Sequence, residues 1–320
     1  MIGLRSKVSF VDVAYRQSLL FYNLTKTQCK QWKHFSAVSS PIADVELSYT
    51  TYPDHEHTVD VKKTPLIFLH GLFGAKGNLH SVSKHLASDG RKVITYDARN
   101  HGDSQHTPEL NYDCMADDLE GLIKDLKLTN VAVMGHSMGG KTAMTLALTK
   151  PETMNALIVV DVAPGKSPGV EELRKYGEAM KNVKIPPGTS IVNARKLAGV
   201  QLSPVITNRA VLQFLLTNLR EFENGEIKWR MNLDAFLNNY DFIHMFPQEE
   251  AQPFTKPTLF IFGSKSLHYK SEGVDRIPKL FPNADITSIK DAGHFVHAEK
   301  PIEFVNVVRT FLDSLDEKPS

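Results

Sequence analysis

Short apolar runs at residues 65–69, 92–96, 131–134 and 156–160 alternate with helical periodicity at 77–88, 115–126 and 141–149. Strands of this kind must be buried on both faces, and helices long enough to cross between them dictate parallel pairing. The pattern therefore specifies an α/β chain with a mostly parallel, doubly wound sheet. Residues 45–61 read instead as an antiparallel hairpin at a sheet edge, around the polar tip Pro53-Asp54-His55-Glu56-His57. Strand character returns at 258–262 and 285–289, and a final helix is expected over 302–315.

Between residues 164 and 251 no strand is evident, only helical periodicity at 170–183, 191–202, 210–222 and 233–245. A helical block inserted there reads as a lid, about 165–250, over the carboxyl edge of the sheet, where such folds bind ligands. Residues 41–320 would then form one domain carrying its own lid. The preceding stretch is different: Arg5, Lys7, Arg16, Lys26, Lys30 and Lys33 face a single acid, Asp12. A basic, serine-containing, acid-poor start reads as a mitochondrial transit peptide or a disordered tail over residues 1–40.

The net charge of +1 gives no reason to expect a nucleic-acid partner. Two cysteines, Cys29 and Cys114, are too few for a disulfide framework or a cysteine-rich metal site, which suits a reducing compartment. No apolar run reaches the roughly 20 residues of a membrane span. The histidines are scattered without a His-Glu-x-x-His pattern, so no metal is expected.

Chemistry concentrates in Gly135-His136-Ser137-Met138-Gly139-Gly140-Lys141-Thr142. These letters fit a phosphate-binding Gly-x-x-x-x-Gly-Lys-Thr loop, with Asp161 after an apolar strand as a magnesium ligand. They also fit Gly-x-Ser-x-Gly, a strand-to-helix elbow that exposes a serine hydroxyl. A phosphate loop usually follows the first strand of its domain, whereas here several strands come first. It also gives no role to His70-Gly71-Leu72-Phe73-Gly74 or to Gly293-His294-Phe295.

The elbow employs all three segments. A serine needs a base, and the base needs an orienting acid. His294, after the last strand, is placed as base to Ser137. The N–H of Met138 and that of Leu72 or Phe73 would receive an oxyanion. Lys141 and Thr142 then read as ordinary first-turn residues. The loop after the penultimate strand, Gly263-Ser264-Lys265-Ser266-Leu267-His268, offers no carboxylate. Asp161, at the end of the preceding strand, is the preferred acid, because a strand end is a rigid mount. Asp234, in the lid, is the other candidate, with pairing to Arg230 on a helical face as its alternative role.

With Phe68-Leu69-His70-Gly71-Leu72-Phe73-Gly74, Asp97 through Ser104, Gly135 through Ala143, Asn232-Leu233-Asp234-Ala235 and Ala292-Gly293-His294 in place, the chain resembles the α/β hydrolase superfamily over about residues 43–313. An animal mitochondrial branch is the nearest in kind. The resemblance implies a serine hydrolase of acyl esters with diacylglycerol lipase activity, no cofactor, and a link to a 2-oxoglutarate dehydrogenase complex as partner. It extends to small bacterial esterases whose acid occupies the Asp161 position, while the acid of the animal branch could match Asp234. The rivals are a nucleotide-binding enzyme and a non-catalytic partner-binding module.

Overall fold

The computed structural model describes residues 45–53, 58–248 and 250–317. The segment read as a transit peptide lies outside the described residues. Along the chain the elements are β1 (Tyr49–Tyr52), β2 (Leu66–Leu69), α1 (His80–Leu86), β3 (Val93–Tyr96), α2 (Tyr112–Asp125), β4 (Ala132–His136), α3 (Met138–Thr149) and β5 (Ala156–Val160). They continue with α4 (Val170–Lys181), α5 (Ile191–Leu202), α6 (Arg209–Leu216), β6 (Leu219–Glu221), β7 (Ile227–Trp229), α7 (Leu233–Asn238) and α8 (Tyr240–His244). The chain closes with β8 (Thr258–Gly263), α9 (Ile277–Leu280), β9 (Ala284–Ile289), α10 (Val296–Glu299) and α11 (Pro301–Asp316).

Seven strands form one sheet in the order β1-β3-β2-β4-β5-β8-β9, parallel except for β1. Alternate side chains of β2 face opposite layers, and all are buried. Ile67 and Leu69 join Leu119 of α2 and Met144 of α3, whereas Leu66 and Phe68 join Leu86 of α1 and Phe304 of α11. The chain runs from β2 to β3 on one side and to β4 on the other, so the strand order reverses at β2. Loops leaving the carboxyl ends of β2 and β4 therefore open side by side, with Leu69 in register with Gly135.

Two expectations fail locally. The edge element is a single strand, β1, paired with β3 rather than with a hairpin mate; residues 54–57 of the anticipated tip lie outside the described set. Within the insertion, the run read as a helix over 210–222 stops at Leu216. It passes into the hairpin β6–β7, where Leu219 pairs with Trp229 and Glu221 with Ile227. The apolar spacing of the α6 segment continues into Leu219, so periodicity alone could not mark the switch. The insertion between β5 and β8 is otherwise helical, as α4 to α8.

The last helix is anchored by a buried guanidinium. Arg91, 1 % exposed, donates to Thr64 O at 2.8 Å, Asp316 Oδ2 at 2.8 Å and Asp313 Oδ1 at 2.9 Å. Asp316 Oδ1 accepts the Thr64 N–H at 2.8 Å, so α11 is tied to the entry of β2. Burial, the largest single influence, would raise the Asp316 carboxyl, but the hydrogen bonds from Arg91 and Thr64 and the Arg91 charge together outweigh it and hold the group below its ordinary 3.8. A depressed carboxylate stabilises the fold above its unfolded pKa and loses that contribution as pH falls through the folded value. Asp316→Asn is expected to cost about 2 kcal/mol at neutral pH. Its deficit in thermal unfolding relative to the parent should shrink as pH is lowered below 3.8.

Candidate active site

Ser137 sits between the last residue of β4 and the first of α3, with φ 53° and ψ −115°. Side chains other than glycine rarely adopt this backbone, and it projects the residue out of the sheet edge. The strain is held by the Ser137 N–H donating to Val160 O at 3.0 Å and by Ser137 O accepting the Lys141 N–H at 3.0 Å. Turning so sharply presses strand against helix. A Cβ on Gly135 would lie 2.1 Å from Gly139 O, and one on Gly139 would lie 2.7 Å from His70 O. Glycine is required at both places because backbone fills the space a side chain would need.

The loop after β2 is a tight turn closed by the Gly74 N–H on Gly71 O at 2.9 Å. His70 fixes it from beneath: Nε2 accepts the Ala98 N–H at 3.0 Å, so Nδ1 carries the proton and donates to Gly71 O at 2.8 Å. Burial lowers the pKa of this ring, keeping it neutral. Phe73 has φ 60°, its carbonyl accepts from Asn218 Nδ2 at 2.7 Å, and its ring meets Phe236 edge-on. The N–H of Met138, at the first position of α3, has no intrahelical acceptor, and the helix dipole adds to its positive end.

His294 lies in the loop between β9 and α10. Its Nδ1 meets Asp161 Oδ2 at 2.7 Å. Asp161, fully buried, follows β5 with φ 49°, and its N–H donates to Ile261 O of β8 at 2.8 Å. Its Oδ1 accepts the Gly263 N–H at 2.8 Å, and its Oδ2 also accepts the Ser266 hydroxyl at 2.5 Å. An acceptor-only carboxylate therefore has three donors and takes Nδ1–H from His294, leaving Nε2 as the nitrogen able to receive a proton.

Three more imidazoles crowd His294. His268 stacks on His294 at 4.7 Å between centroids, nearly parallel at 17°. His136 lies 4.7 Å from His294 and donates through Nε2 to His294 O at 2.9 Å. His297 abuts His136. Burial, with the neighbouring His294 as a smaller contribution, depresses all three: His268 to about 2, His297 to about 4, and His136 well below the ordinary value. A proton arriving on His294 would thus meet neutral rings and one carboxylate. Glu299 holds the loop, accepting the Gly293 N–H at 2.8 Å and the Phe295 N–H at 3.1 Å.

Ser137, Met138, Leu72, Phe73 and His294 all line one cavity of about 430 Å³, with Asp161 behind His294. Its far wall comes from the insertion, including Tyr176, Val211, Phe214, Phe236 and Ile243. Asp234 does not join this group. Its side chain is 67 % exposed, pairs with Lys181, and lines a separate cleft beside β6–β7. Nor does it pair with Arg230, which precedes α7 and lies 3.3 Å from Asp103 Oδ2. A one-turn spacing counts only where both residues are helical.

Lys141 corrects a second expectation. It is 1 % exposed, and its Nζ donates to His244 O at 3.0 Å and Met245 O at 3.1 Å, at the end of α8. The ammonium also lies 5.7 Å from the centre of the Tyr112 ring. A phosphate loop would need this cation turned into the loop; here it is committed to the insertion. Sequence reading missed Ser266 and the Gly263 N–H as partners of Asp161. The signal was the loop lacking a carboxylate where one was sought, since it supplies donors instead.

Residues 64–183 match a family model described as alpha/beta hydrolase fold. The chain is 47% identical over 250 residues to sn-1-specific diacylglycerol lipase ABHD11 of Danio rerio, covering 78% of both. To the protein of that name from Mus musculus it is 45% identical over 255 residues, covering 79% of this chain and 82% of the other. A solved marine microorganism esterase superposes with a TM-score of 0.75 at 35% identity, covering 83% of this chain and 99% of that one. Similarity this extensive, on a sheet of this order with its elbow after β4, means that the chain belongs to the α/β hydrolase family.

Proposed function

We propose that this protein is a serine esterase of acyl lipids, with diacylglycerol as the substrate class, working through Ser137, His294 and Asp161. The observation that carries the reading is the 2.7 Å contact of His294 Nδ1 with buried Asp161, at the wall of a cavity that also holds Ser137. The chain is a carboxylic ester hydrolase, and the names of its relatives, diacylglycerol lipase and esterase, accord with that.

In this mechanism Ser137 Oγ attacks the ester carbonyl as its proton passes to His294 Nε2. Charge on the carbonyl oxygen is received by the N–H of Met138 and that of Leu72 or Phe73. The imidazolium, steadied by Asp161, returns the proton to the departing alcohol, leaving an acyl ester on Ser137. Water, deprotonated by His294, then attacks that ester and releases the acid and free Ser137. No cofactor enters. Apolar side chains of the insertion, including Phe214 and Ile243, suit an acyl chain, and a cavity of about 430 Å³ is within the range of small-ligand sites. Mitochondrial residence and association with a 2-oxoglutarate dehydrogenase complex belong to the same proposal and rest on the family resemblance alone.

Asp161→Asn is expected to lower kcat for a soluble nitrophenyl ester about ten-thousand-fold, because the ring loses its enforced tautomer. Asp234→Asn should leave kcat within about twofold, as loss of an exposed ion pair normally does. The reverse ranking would transfer the acid to the insertion. Lys141→Ala is expected to lower stability by about 3 kcal/mol, since two carbonyls lose a charged donor. Magnesium-ATP should not raise the melting temperature of the parent; a rise abolished by Lys141→Ala would restore the nucleotide reading.

A further inference from the structure

The insertion carries an imbalance that the esterase chemistry does not use. Between Glu178 and Glu221 there is no acidic residue, while Lys181, Lys184, Arg195, Lys196, Arg209 and Arg220 all fall there. In a chain of net charge +1 this is a strongly one-sided segment. Lys181 and Arg220 are paired, with Asp234 and Asp103, but among the described residues no carboxylate pairs with Lys184, Lys196 or Arg209.

The helix at its centre is also turned the unusual way. Ala194, Ala198 and Leu202 of α5 are fully buried, so Val192, Lys196 and Val200, one turn apart, form the opposite, outward stripe. A surface helix normally places polar residues there. Val192 is 60 % exposed and Val200 72 %, flanked by Leu197 at 41 % and Val205 at 44 %. Lys184 is brought to the same end: its N–H donates to Gln201 Oε1 and its carbonyl accepts from Gln201 Nε2, each at 2.9 Å.

We propose that this outer face of α5, with Lys196 among its valines and Lys184 beside Gln201 at its end, docks the protein on an anionic lipid bilayer. Exposed aliphatic groups enter the acyl–headgroup boundary while lysine stems lie along it and carry their charges to the phosphates. Juxtaposed basic residues each add about 1 kcal/mol of attraction to such a surface, which corresponds to about fivefold in binding. Hot spots of protein interfaces are enriched in Trp, Tyr and Arg and poor in Val and Leu, whereas the exposed apolar groups here are Val192, Leu197, Val200 and Val205. The position is apt, because α6 packs against α5 and its Val211 and Phe214 line the cavity with Ser137. One helix pair would then touch the lipid with its outer face and wall the acyl site with its inner one. The inference extends the lipid-esterase reading, yet its test does not require turnover.

The full chain would be sedimented with vesicles of phosphatidylcholine alone and of phosphatidylcholine mixed with phosphatidylserine. Binding is expected only to the mixed vesicles, falling as salt is raised. Val192→Asp with Val200→Asp should abolish it, and Lys184→Glu with Lys196→Glu should weaken it at least about twenty-five-fold, counting fivefold per basic side chain lost. Lys196→Ala alone, the mildest change, should cost about fivefold. All variants should keep the parent's melting temperature and its rate on a water-soluble ester, and Ser137→Ala should bind vesicles as the parent does. Equal binding to both vesicle types, no binding to either, or valine and lysine variants that bind like the parent would each overturn the proposal.

Discussion

A single carboxylate, Asp161, sealed at the end of β5, joins the sheet to the candidate chemistry. It has no exposure to water, and a buried charge is tolerable only when its lone pairs are met by donors. The donors come from three directions: the Gly263 N–H at the end of β8, the Ser266 hydroxyl beyond it, and His294 from the loop after β9. Satisfying the charge therefore draws the ends of three strands together and orients the imidazole at once. Asp161 itself adopts a left-handed backbone, which an aspartate accepts more readily than most residues.

The second constraint is steric. Where the strand order reverses, the loops after β2 and β4 share one crevice, and the elbow at Ser137 fits only because glycines let backbone approach backbone. His70 pins the first loop, and His136, adjacent to Ser137, pins the loop of His294 through its carbonyl. Surrounding His294 with imidazoles held neutral by burial gives a packed, polarisable wall without adding positive charge. The insertion is fastened to the same framework by Lys141, whose cation reaches the carbonyls that end α8.

Much of this was legible in the sequence, for identifiable reasons. Apolar runs such as that of β5 mark strands buried on both faces, and the order of Ser137, Asp161 and His294 along the chain follows strands whose ends lie at one edge. Asp161 ends a strand and Asp234 does not, which favours Asp161 from sequence, and the structure places it, not Asp234, on His294. What remained hidden depended on contacts between distant segments. Nothing around Lys141 announces that it would be buried under residues a hundred positions away. The hairpin β6–β7 is short, its strands are joined by the polar turn at Asn224 and Gly225 and pair only with each other, so helix periodicity masks it. Ser266 carries no local signature, because its hydroxyl meets Asp161 only once the ends of β5 and β8 lie side by side.

The central claim is that the Ser137 hydroxyl, held at the elbow, is activated by His294. The most direct measurement is reaction of the intact protein with a fluorophosphonate, followed by mass-spectrometric mapping of the modified peptide. Stoichiometric modification of Ser137 alone, lost when His294→Ala is introduced, is the expected result. Modification at another residue, or undiminished labelling of Ser137 in His294→Ala, would contradict it.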